Sequence, residues 1–361
     1  MAWRFLGFLE KGLGLVGWYR EEDLEGYEFY IAQHIDDEIL EVCASGGVFA
    51  AIATAFVERG GVVFGAVYDN DLRVVHTSAE SVDGVRAMMG SKYAQSFLGD
   101  CFRLVEGYLR DGKEVLFSGA PCQVAGLKSY LAAKCGSDSL TSKLFLIDFV
   151  CHGVGSPMVL ESYVAEEKRK GFNIVSMNMR SKYRGYRNSS MELAGEAGKA
   201  RHTSTRVDCF LGAFYSNCIS RPACHECAFK GIRRPSDITI WDSWSAEMVL
   251  GRKPDNKGYT NVIARGERGE GLLFLAESQL ALYKVDFASI APRNGGMLTN
   301  SCKKSPLRDK YLAIVADRGI KAASNELLPI GPRDRVRELA KTLLWRVGML
   351  DLIARGKRSI K

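Results

Sequence analysis

Three of the ten cysteines in this 361-residue chain lie close together in the sequence. Cys218, Cys224 and Cys227 follow the pattern C-x5-C-x2-C. A C-x2-C pair presents two thiolates from one turn, and a third thiolate nearby completes most of a tetrahedral metal site or an iron-sulfur site. We therefore expect these three residues to be metal ligands. With His225 inside the loop, the spacing fits zinc as well as it fits iron.

Two other cysteines are candidates for a fourth ligand. Cys122 and Cys151 each follow a predicted strand, so both are expected at strand ends. Cys122 also lies near the start of a predicted helix, where the helix dipole lowers a thiol pKa, and a redox role is its alternative. His152, beside Cys151, is a candidate proton donor or cofactor contact. We interpret the following as packed small side chains: Cys43, Cys101, Cys135, Cys209 and Cys302.

Three loops combine glycine with small residues. Such loops let backbone N–H groups approach a phosphate or a flavin ring, and Lys92 in one of them supplies a positive charge. No G-x-G-x-x-G fingerprint follows a strand, so a standard Rossmann dinucleotide site is not predicted. The loops are Ser45-Gly46-Gly47, Gly90-Ser91-Lys92-Tyr93 and Ser118-Gly119-Ala120-Pro121.

Strands and helices alternate along the part of the chain that holds these loops. The order strand, glycine-proline turn, helix around Gly119 is typical of α/β proteins, in which ligands bind at the carboxyl ends of strands. The predicted fold is therefore mixed α/β, with a mixed sheet flanked by helices and an inserted cysteine-rich loop. Predicted strands lie at 62–68, 72–76, 114–117, 144–150, 174–179 and 237–240, and predicted helices at 48–57 (capped by Ser45), 102–109, 124–131 and 157–170.

Composition restricts the function classes. The net charge is +7, but Lys and Arg are spread among 42 acidic residues, so no nucleic-acid surface is predicted. No apolar stretch approaches the roughly 20 residues of a membrane span. No secretory signal is recognisable either, so we expect a cytoplasmic protein.

We expect an appended segment at 1–40, one catalytic core at 41–305 and a basic helical tail at 306–361. Apolar residues of the tail fall on one helical face, with basic residues around them. Such a helix can lie on a membrane or a partner, or it can dock on its own protein. The apolar residues are Val336, Leu339, Ala340, Leu343, Leu344 and Val347, and the basic ones are Arg335, Lys341, Arg346, Arg355, Lys357, Arg358 and Lys361.

The ordered motifs of residues 40–300 resemble those of the coenzyme F-420 hydrogenase/dehydrogenase beta-subunit family. The order of the motifs carries the resemblance, since each alone is common. They are Ser45-Gly46-Gly47, the segment Gly90 to Ser96, Gly119-Ala120-Pro121-Cys122-Gln123, the segment Asp148 to Val154, the cysteines at 218, 224 and 227, and Ser236-Asp237-Ile238-Thr239-Ile240.

This resemblance implies a mixed α/β core with FAD and one [4Fe-4S] cluster, and an oxidoreductase that moves electrons between the cluster and a hydride donor or acceptor at the flavin. The hydride partner would be a deazaflavin or an organic substrate. Cys218, Cys224 and Cys227 would hold the cluster with Cys122 or Cys151. The implied flavin contacts are Ser45, Gly46, Gly47, Ser91, Lys92, Tyr93, Gly119, Pro121 and Gln123.

The chain also departs from the family pattern. Family members often carry a ferredoxin-like cysteine module ahead of the core, whereas no cysteine precedes Cys43 here, so a separate ferredoxin-like or other electron-transfer protein is expected. The family usually has Gly-Asp-Phe-Trp-Gly where this chain has Trp241-Asp242-Ser243-Trp244-Ser245, which adds bulk where a backbone approaches a ligand. Ala120 stands where the family commonly has Thr.

Two other function classes stay open at this stage. One is a zinc-stabilised partner-binding protein without redox activity, and the other is a hydrolase or transferase, although no motif demands the second.

Overall fold

The computed structural model describes residues 19–135, 138–291 and 296–348. The chain forms two compact units, of which the first comprises 1–154 with 221–303 and the second comprises 155–220 with 304–361. Residues 155–220 belong to the same unit as the C-terminal part, and the predicted segments 1–40, 41–305 and 306–361 stay predictions. The start of the predicted appended segment, the side chain of Cys135 and the basic residues after Gly348 lie outside the described residues.

The described strands form one sheet in each unit. They are β1 (Tyr27–His34), β2 (Val62–Tyr68), β3 (Val74–Ala79), β4 (Val115–Gly119), β5 (Leu144–Phe149), β6 (Ile174–Ser181), β7 (Ser190–Gly195), β8 (Ala200–Ser204), β9 (Ile238–Asp242), β10 (Thr260–Arg265) and β11 (Leu280–Lys284). The large sheet has the order β11-β1-β10-β9-β5-β4-β2-β3, and the small one has the order β6-β7-β8.

Helices cover the large sheet and make up most of the rest. They are α1 (Asp37–Val42), α2 (Val48–Glu58), α3 (Val82–Met88), α4 (Cys101–Arg110), α5 (Pro121–Cys135), α6 (Asp138–Thr141), α7 (Pro157–Arg169), α8 (Cys209–Tyr215), α9 (Ala246–Val249), α10 (Gly266–Phe274), α11 (Phe287–Ile290), α12 (Gly296–Thr299), α13 (Arg308–Leu327) and α14 (Pro332–Arg346). Of the helices in the described residues, none is both long and apolar enough to cross a membrane.

The central strands of the large sheet are buried on both faces. In β4, Leu116 packs into the core formed with α2, whereas Val115 and Phe117 pack into the core formed with α4 and α5. A strand covered by helices on both sides needs apolar residues at every position, which explains why these strands read as continuous apolar runs. The predicted mixed α/β fold, with a mixed sheet flanked by helices, is confirmed.

The second unit combines the small antiparallel sheet with helices α7, α8, α13 and α14. Helix α13 is interrupted at Gly319, whose φ of 85° is unfavourable for other residues. The N–H of the next residue, Ile320, donates a hydrogen bond to Ser162 Oγ at 2.9 Å and so fixes the kink on α7.

Two features near the N-terminus differ from the sequence analysis. Strand β1 was not predicted, yet Ile31 and Ala32 are fully buried, because β1 lies inside the sheet between β10 and β11. The predicted helix cap is wrong, since α2 begins after Gly47, which has a φ of 80°, and no side chain caps it. The hydroxyl of Ser45 instead donates to the carbonyl of Tyr259 at 2.7 Å.

Candidate functional site

The predicted motifs meet along one edge of the large sheet. Strands β2, β4, β5 and β9 are parallel neighbours, so their last residues, Tyr68, Gly119, Phe149 and Asp242, lie on the same side. Antiparallel β10 begins at this edge, because Thr260 pairs with Asp242. The carboxyl ends of parallel strands are where α/β proteins bind their ligands.

The loop Ser45-Gly46-Gly47 lies at the β10 end of this edge and packs against its own protein. Gly46 N–H donates to Thr260 Oγ1 at 2.8 Å. A Cβ on Gly46 would come within 2.5 Å of the Ala32 carbonyl oxygen, so only glycine fits here. The structure therefore explains this glycine by strand packing, and the predicted flavin contacts of the loop stay predictions.

Four cysteines converge at the middle of the edge. Cys122 is the second residue of α5, Cys151 follows β5, and Cys224 and Cys227 lie in one loop. Burial raises the pKa of the Cys122 thiol, and the thiols of Cys224 and Cys227 raise it further. Burial likewise raises the pKa of Cys151 to about 12, with contributions from the thiols of Cys224 and Cys122. Cys122 and Cys151, which follow neighbouring parallel strands, therefore lie within electrostatic range of the Cys224 thiol.

A fifth thiol, from Cys302, joins them at Gly153. A Cβ on Gly153 would lie 3.2 Å from Cys302 Sγ, 3.3 Å from Cys224 Cβ and 3.7 Å from Cys224 Sγ. The φ of Gly153 is 151°, which also favours glycine. Glycine at 153 thus leaves room for two sulfur atoms. We call Cys122, Cys151, Cys224, Cys227 and Cys302 the cysteine group.

Residues around Cys302 hold the C-x2-C loop in place. The ring Nδ1 of His225 lies 3.0 Å from the Cys302 carbonyl oxygen and 3.5 Å from its Sγ. The N–H of Cys227 donates to Ser301 Oγ at 2.9 Å. The interpretation of Cys302 as an ordinary packed side chain was therefore incomplete, because it is buried against the predicted ligand loop.

Lys230 brings a positive charge to the cysteine group. Its Nζ donates to the carbonyl oxygens of Cys151 at 2.6 Å and Met297 at 2.8 Å. Burial lowers the pKa of Lys230, whereas the thiols of Cys151, Cys227 and Cys302 act to raise it. Lys230 was not predicted, because a lysine three positions after a cysteine carries no signal of its own.

Cys218, the first predicted ligand, belongs to the second unit. It is fully buried, and its backbone N–H bonds to the Ala213 carbonyl at the end of α8. Its Sγ lies 3.4 Å from Ser305 Oγ and 3.5 Å from Ser216 Oγ. Within residues 19–135, 138–291 and 296–348, no three His, Cys, Asp or Glu side chains form a group that could hold a metal ion.

A buried ionic network lies beneath the cysteine group. Asp148 Oδ1 accepts hydrogen bonds from Thr239 Oγ1 at 2.7 Å and from Arg234 Nη1 at 3.2 Å. Arg265 Nη1 also donates to Thr239 Oγ1, at 2.9 Å. Burial raises the pKa of Asp148, although the Arg234 charge opposes this. The network ties β5, β9 and β10 together three residues before Cys151.

Lys92 lies at the β2 end of the edge. Its Nζ donates to the carbonyl oxygens of Met88 at 3.2 Å, Met89 at 3.0 Å and Gly90 at 3.4 Å, which belong to the end of α3 and the turn after it. Burial lowers its pKa to about 8. The same Nζ lies 5.5 Å from the ring centre of Tyr68, at the end of β2.

Two polar atoms beside Lys92 are buried without a partner among the described residues, namely Tyr68 Oη and His76 Nδ1. The other ring nitrogen of His76 lies 3.1 Å from the Ser118 carbonyl oxygen, and the ring stacks on Phe117. Burial lowers the pKa of His76, and the Lys92 charge lowers it further. We call Lys92, Tyr68 and His76 the lysine group; Tyr68 and His76 were not predicted site residues.

Gln123, the residue after Cys122 in α5, bonds to the end of the β4 loop and to Ser96. Its Oε1 accepts from Ala120 N–H at 2.9 Å, and its Nε2 donates to Ser96 Oγ at 2.8 Å. A Cβ on Gly119 would lie 3.2 Å from Gln123 Oε1. Pro121 begins α5, the position where a missing N–H costs nothing. The predicted roles of these residues in flavin binding, and those of Ser91, Tyr93 and His152, stay predictions.

A scan of protein families matches residues 112–288 to the family that describes the C terminus of the beta subunit of coenzyme F420 hydrogenase/dehydrogenase. These residues belong to that family. The beta-subunit segment runs from before β4 to beyond β11 and contains Cys122, Cys151, Cys224 and Cys227. The match to this family therefore indicates a hydrogenase/dehydrogenase-type oxidoreductase.

Comparison with curated proteins finds no match. Among solved structures, a chain of the F420-reducing [NiFe] hydrogenase complex from Methanosarcina barkeri is 18% identical. The alignment covers 83% of this chain and 90% of that chain, with a TM-score of 0.49.

Proposed function

We propose that this chain is a flavin- and [4Fe-4S]-dependent oxidoreductase of the beta-subunit type, active in the cytoplasm. It would pass electrons between a ferredoxin-like or other electron-transfer protein and a hydride acceptor such as a deazaflavin or an organic substrate. The observation that carries this proposal is that Cys122 and Cys151 follow neighbouring parallel strands, while Gly153, two residues after Cys151, packs against Cys224 and Cys302.

The cysteine group suits an iron-sulfur cluster by its donor chemistry. In a zinc site a single ion draws its sulfur atoms to about 3.8 Å from one another, given Zn–S bonds of about 2.3 Å. A cluster of several irons accepts four cysteines that surround a larger volume. We propose Cys122, Cys151, Cys224 and Cys227 as its ligands, so that both strand-end cysteines take part and Cys218 does not.

Cys302 and Lys230 would serve the cluster without binding iron. Cys302 packs against Cys224 and His225 and so holds the C-x2-C loop. Lys230 bonds to the Cys151 carbonyl, so its positive charge would offset part of the negative charge of thiolate ligands nearby. Cys302 and Lys230 are thus not proposed as ligands, but both would act on the ligand loop.

The lysine group suits an organic cofactor with polar edges and negative charge. Tyr68 Oη and His76 Nδ1 are buried polar atoms that a ligand would satisfy, and Lys92 supplies the charge. When bound, FAD would exchange a hydride with the substrate and single electrons with the cluster. The residues at the carboxyl ends of β2 and β4 would hold the flavin.

The description of the family as a beta subunit supports a protein partner, since a subunit works in an assembly. Trp244 follows β9 at the same edge and is about half exposed. Trp241, within β9, and Ser245, after it, stand where the family pattern has glycine. We propose that this bulk narrows the choice of hydride acceptor.

Anaerobic purification tests the proposal through an ultraviolet-visible spectrum with iron, sulfide, zinc and flavin analysis. We expect yellow-brown protein with about four irons, matching sulfide and one FAD per chain. Colourless protein with stoichiometric zinc and no flavin would overturn the proposal and support a zinc-stabilised binding protein.

A further inference from the structure

The last described helix, α14, exposes its apolar side. Val336, Leu339, Leu343 and Val347 are 63%, 65%, 62% and 65% exposed. Their spacing of three and four residues places them in one stripe along the helix and the residue that follows it. We call these four residues the apolar stripe.

The opposite side of α14 docks on the small sheet through polar and aromatic groups. Arg184 Nη1 donates to Glu338 Oε1 at 2.6 Å, and Arg184 Nη2 donates to Thr342 Oγ1 at 3.0 Å. The ring of Trp345 lies 4.4 Å from that of Tyr183. At 100° per residue, these contacts lie about half a turn from the apolar stripe.

This arrangement reverses the usual one for a surface helix, which buries its apolar face and exposes its polar face. The sequence analysis considered a helix docked on its own protein, and α14 does dock, but with its polar side. Four neighbouring aliphatic side chains in water form a patch of the kind that marks an interaction site.

Basic residues border the apolar stripe on both sides. Arg333 and Arg337 flank one side, and Arg335 and Arg346 flank the other, all of them exposed. The acidic Glu338 faces the small sheet, where it pairs with Arg184. The outer surface of α14 therefore combines an apolar stripe with positive borders.

We propose that the apolar stripe of α14 binds the surface of an anionic lipid bilayer. A helix of this kind lies in the membrane plane, with its apolar side among the acyl chains and its basic borders at the headgroups. Over 15 residues α14 is about 22 Å long and lies flat, which agrees with the finding that no described helix could span a bilayer.

Charge favours a lipid surface over a second copy of the chain. In a two-fold dimer each stripe meets its own copy, so arginine borders would face arginine borders in either direction of packing. An anionic bilayer instead supplies both the apolar phase and the opposite charge.

Vesicle flotation of the full chain tests the proposal. The probes are vesicles of equal parts phosphatidylglycerol and phosphatidylcholine, and vesicles of phosphatidylcholine alone. We expect binding to the anionic vesicles that weakens at high salt and falls at least tenfold in a variant with both Leu339→Asp and Leu343→Asp. Val175→Asp is the matched control, since Val175 is 63% exposed on β6 of the same unit, and it should bind as the unaltered chain does.

Two results would overturn the proposal. One is that the double variant and the unaltered chain float with anionic vesicles to the same extent, or that neither protein floats. The other is dimerisation in sedimentation runs without vesicles that the double variant abolishes, since this assigns the stripe to a second copy. Circular dichroism melting verifies that each variant is folded.

Discussion

The cysteine group and the lysine group lie on the same sheet edge but differ in how the protein satisfies them. In the cysteine group the possible ligands are thiols, and Lys230 and His225 Nδ1 bond to neighbouring carbonyls, although His225 Nε2 has no partner among the described residues. In the lysine group, Tyr68 Oη and His76 Nδ1 stay without a partner among the described residues. A compact set of soft donors suits a metal cluster, whereas unsatisfied polar atoms suit an organic ligand. The proposed function assigns one cofactor to each group, with separate binding determinants.

The largest expected effect is a difference in bound iron between variants of two cysteines of the C-x5-C-x2-C pattern. Cys224→Ala should remove nearly all bound iron, because it deletes a ligand of the proposed cluster. Cys218→Ala should retain it, because Cys218 is buried in the second unit beside Ser305. Iron and sulfide analysis of the two anaerobically purified variants measures the contrast. Equal iron loss in both would show that the cluster uses the C-x5-C-x2-C pattern after all.

A second contrast concerns the support beneath the cysteine group. Arg234→Ala should lower the free energy of unfolding by about 3 kcal/mol, because it leaves Asp148 buried without its charged partner. The neighbouring Arg233→Ala removes an exposed pair with Asp23 and should cost less than about 1 kcal/mol. Denaturant unfolding of both variants measures the difference. Similar values would mean that water reaches Asp148 once Arg234 is gone.

The lysine group should affect flavin without affecting iron. Lys92→Met should weaken FAD binding about tenfold, because it removes a buried positive charge from the proposed site of a negatively charged cofactor. Lys128→Met, on the exposed side of α5, is the control and should leave the affinity unchanged. Fluorescence titration of flavin-depleted protein gives the affinity, and iron analysis of the same samples should show no change. Iron loss in Lys92→Met would show that the lysine group and the cysteine group belong to one binding site.

The smallest expected effect is a pH dependence of flavin binding. Because burial lowers the pKa of Lys92 to about 8, this residue is charged below that pH and neutral above it. FAD affinity should therefore fall several-fold as the pH rises from 7 to 9, and the fall should be absent in Lys92→Met. The same titration at several pH values measures it. An identical pH profile in both proteins would exclude the Lys92 charge from flavin binding.

The sequence predicted the local parts of the site well. The strand ends at Gly119 and before Cys151 follow from apolar runs that stop at small or polar residues, and both were placed at the edge where the structure has them. Such signals are local, because a strand buried on both faces must be apolar throughout and its loop must turn.

Long-range contributions could not be predicted in the same way. Cys302 and Lys230 reach the cysteine group through the fold, and neither has a motif around it. The predicted ligand role of Cys218 stays a prediction, since the chain passes from the second unit to the first between Cys218 and Cys224. The residues that α14 packs against could not be predicted from the sequence either, because apolar spacing indicates an amphipathic helix but not which of its sides docks.

Anomalous diffraction at the iron absorption edge, on anaerobically grown crystals of the full chain, tests the central claim most directly. The proposed function predicts one strong iron peak surrounded by Cys122, Cys151, Cys224 and Cys227, with Cys302 beside it. An iron or zinc peak bound to Cys218, or no metal peak at the sheet edge, would contradict it.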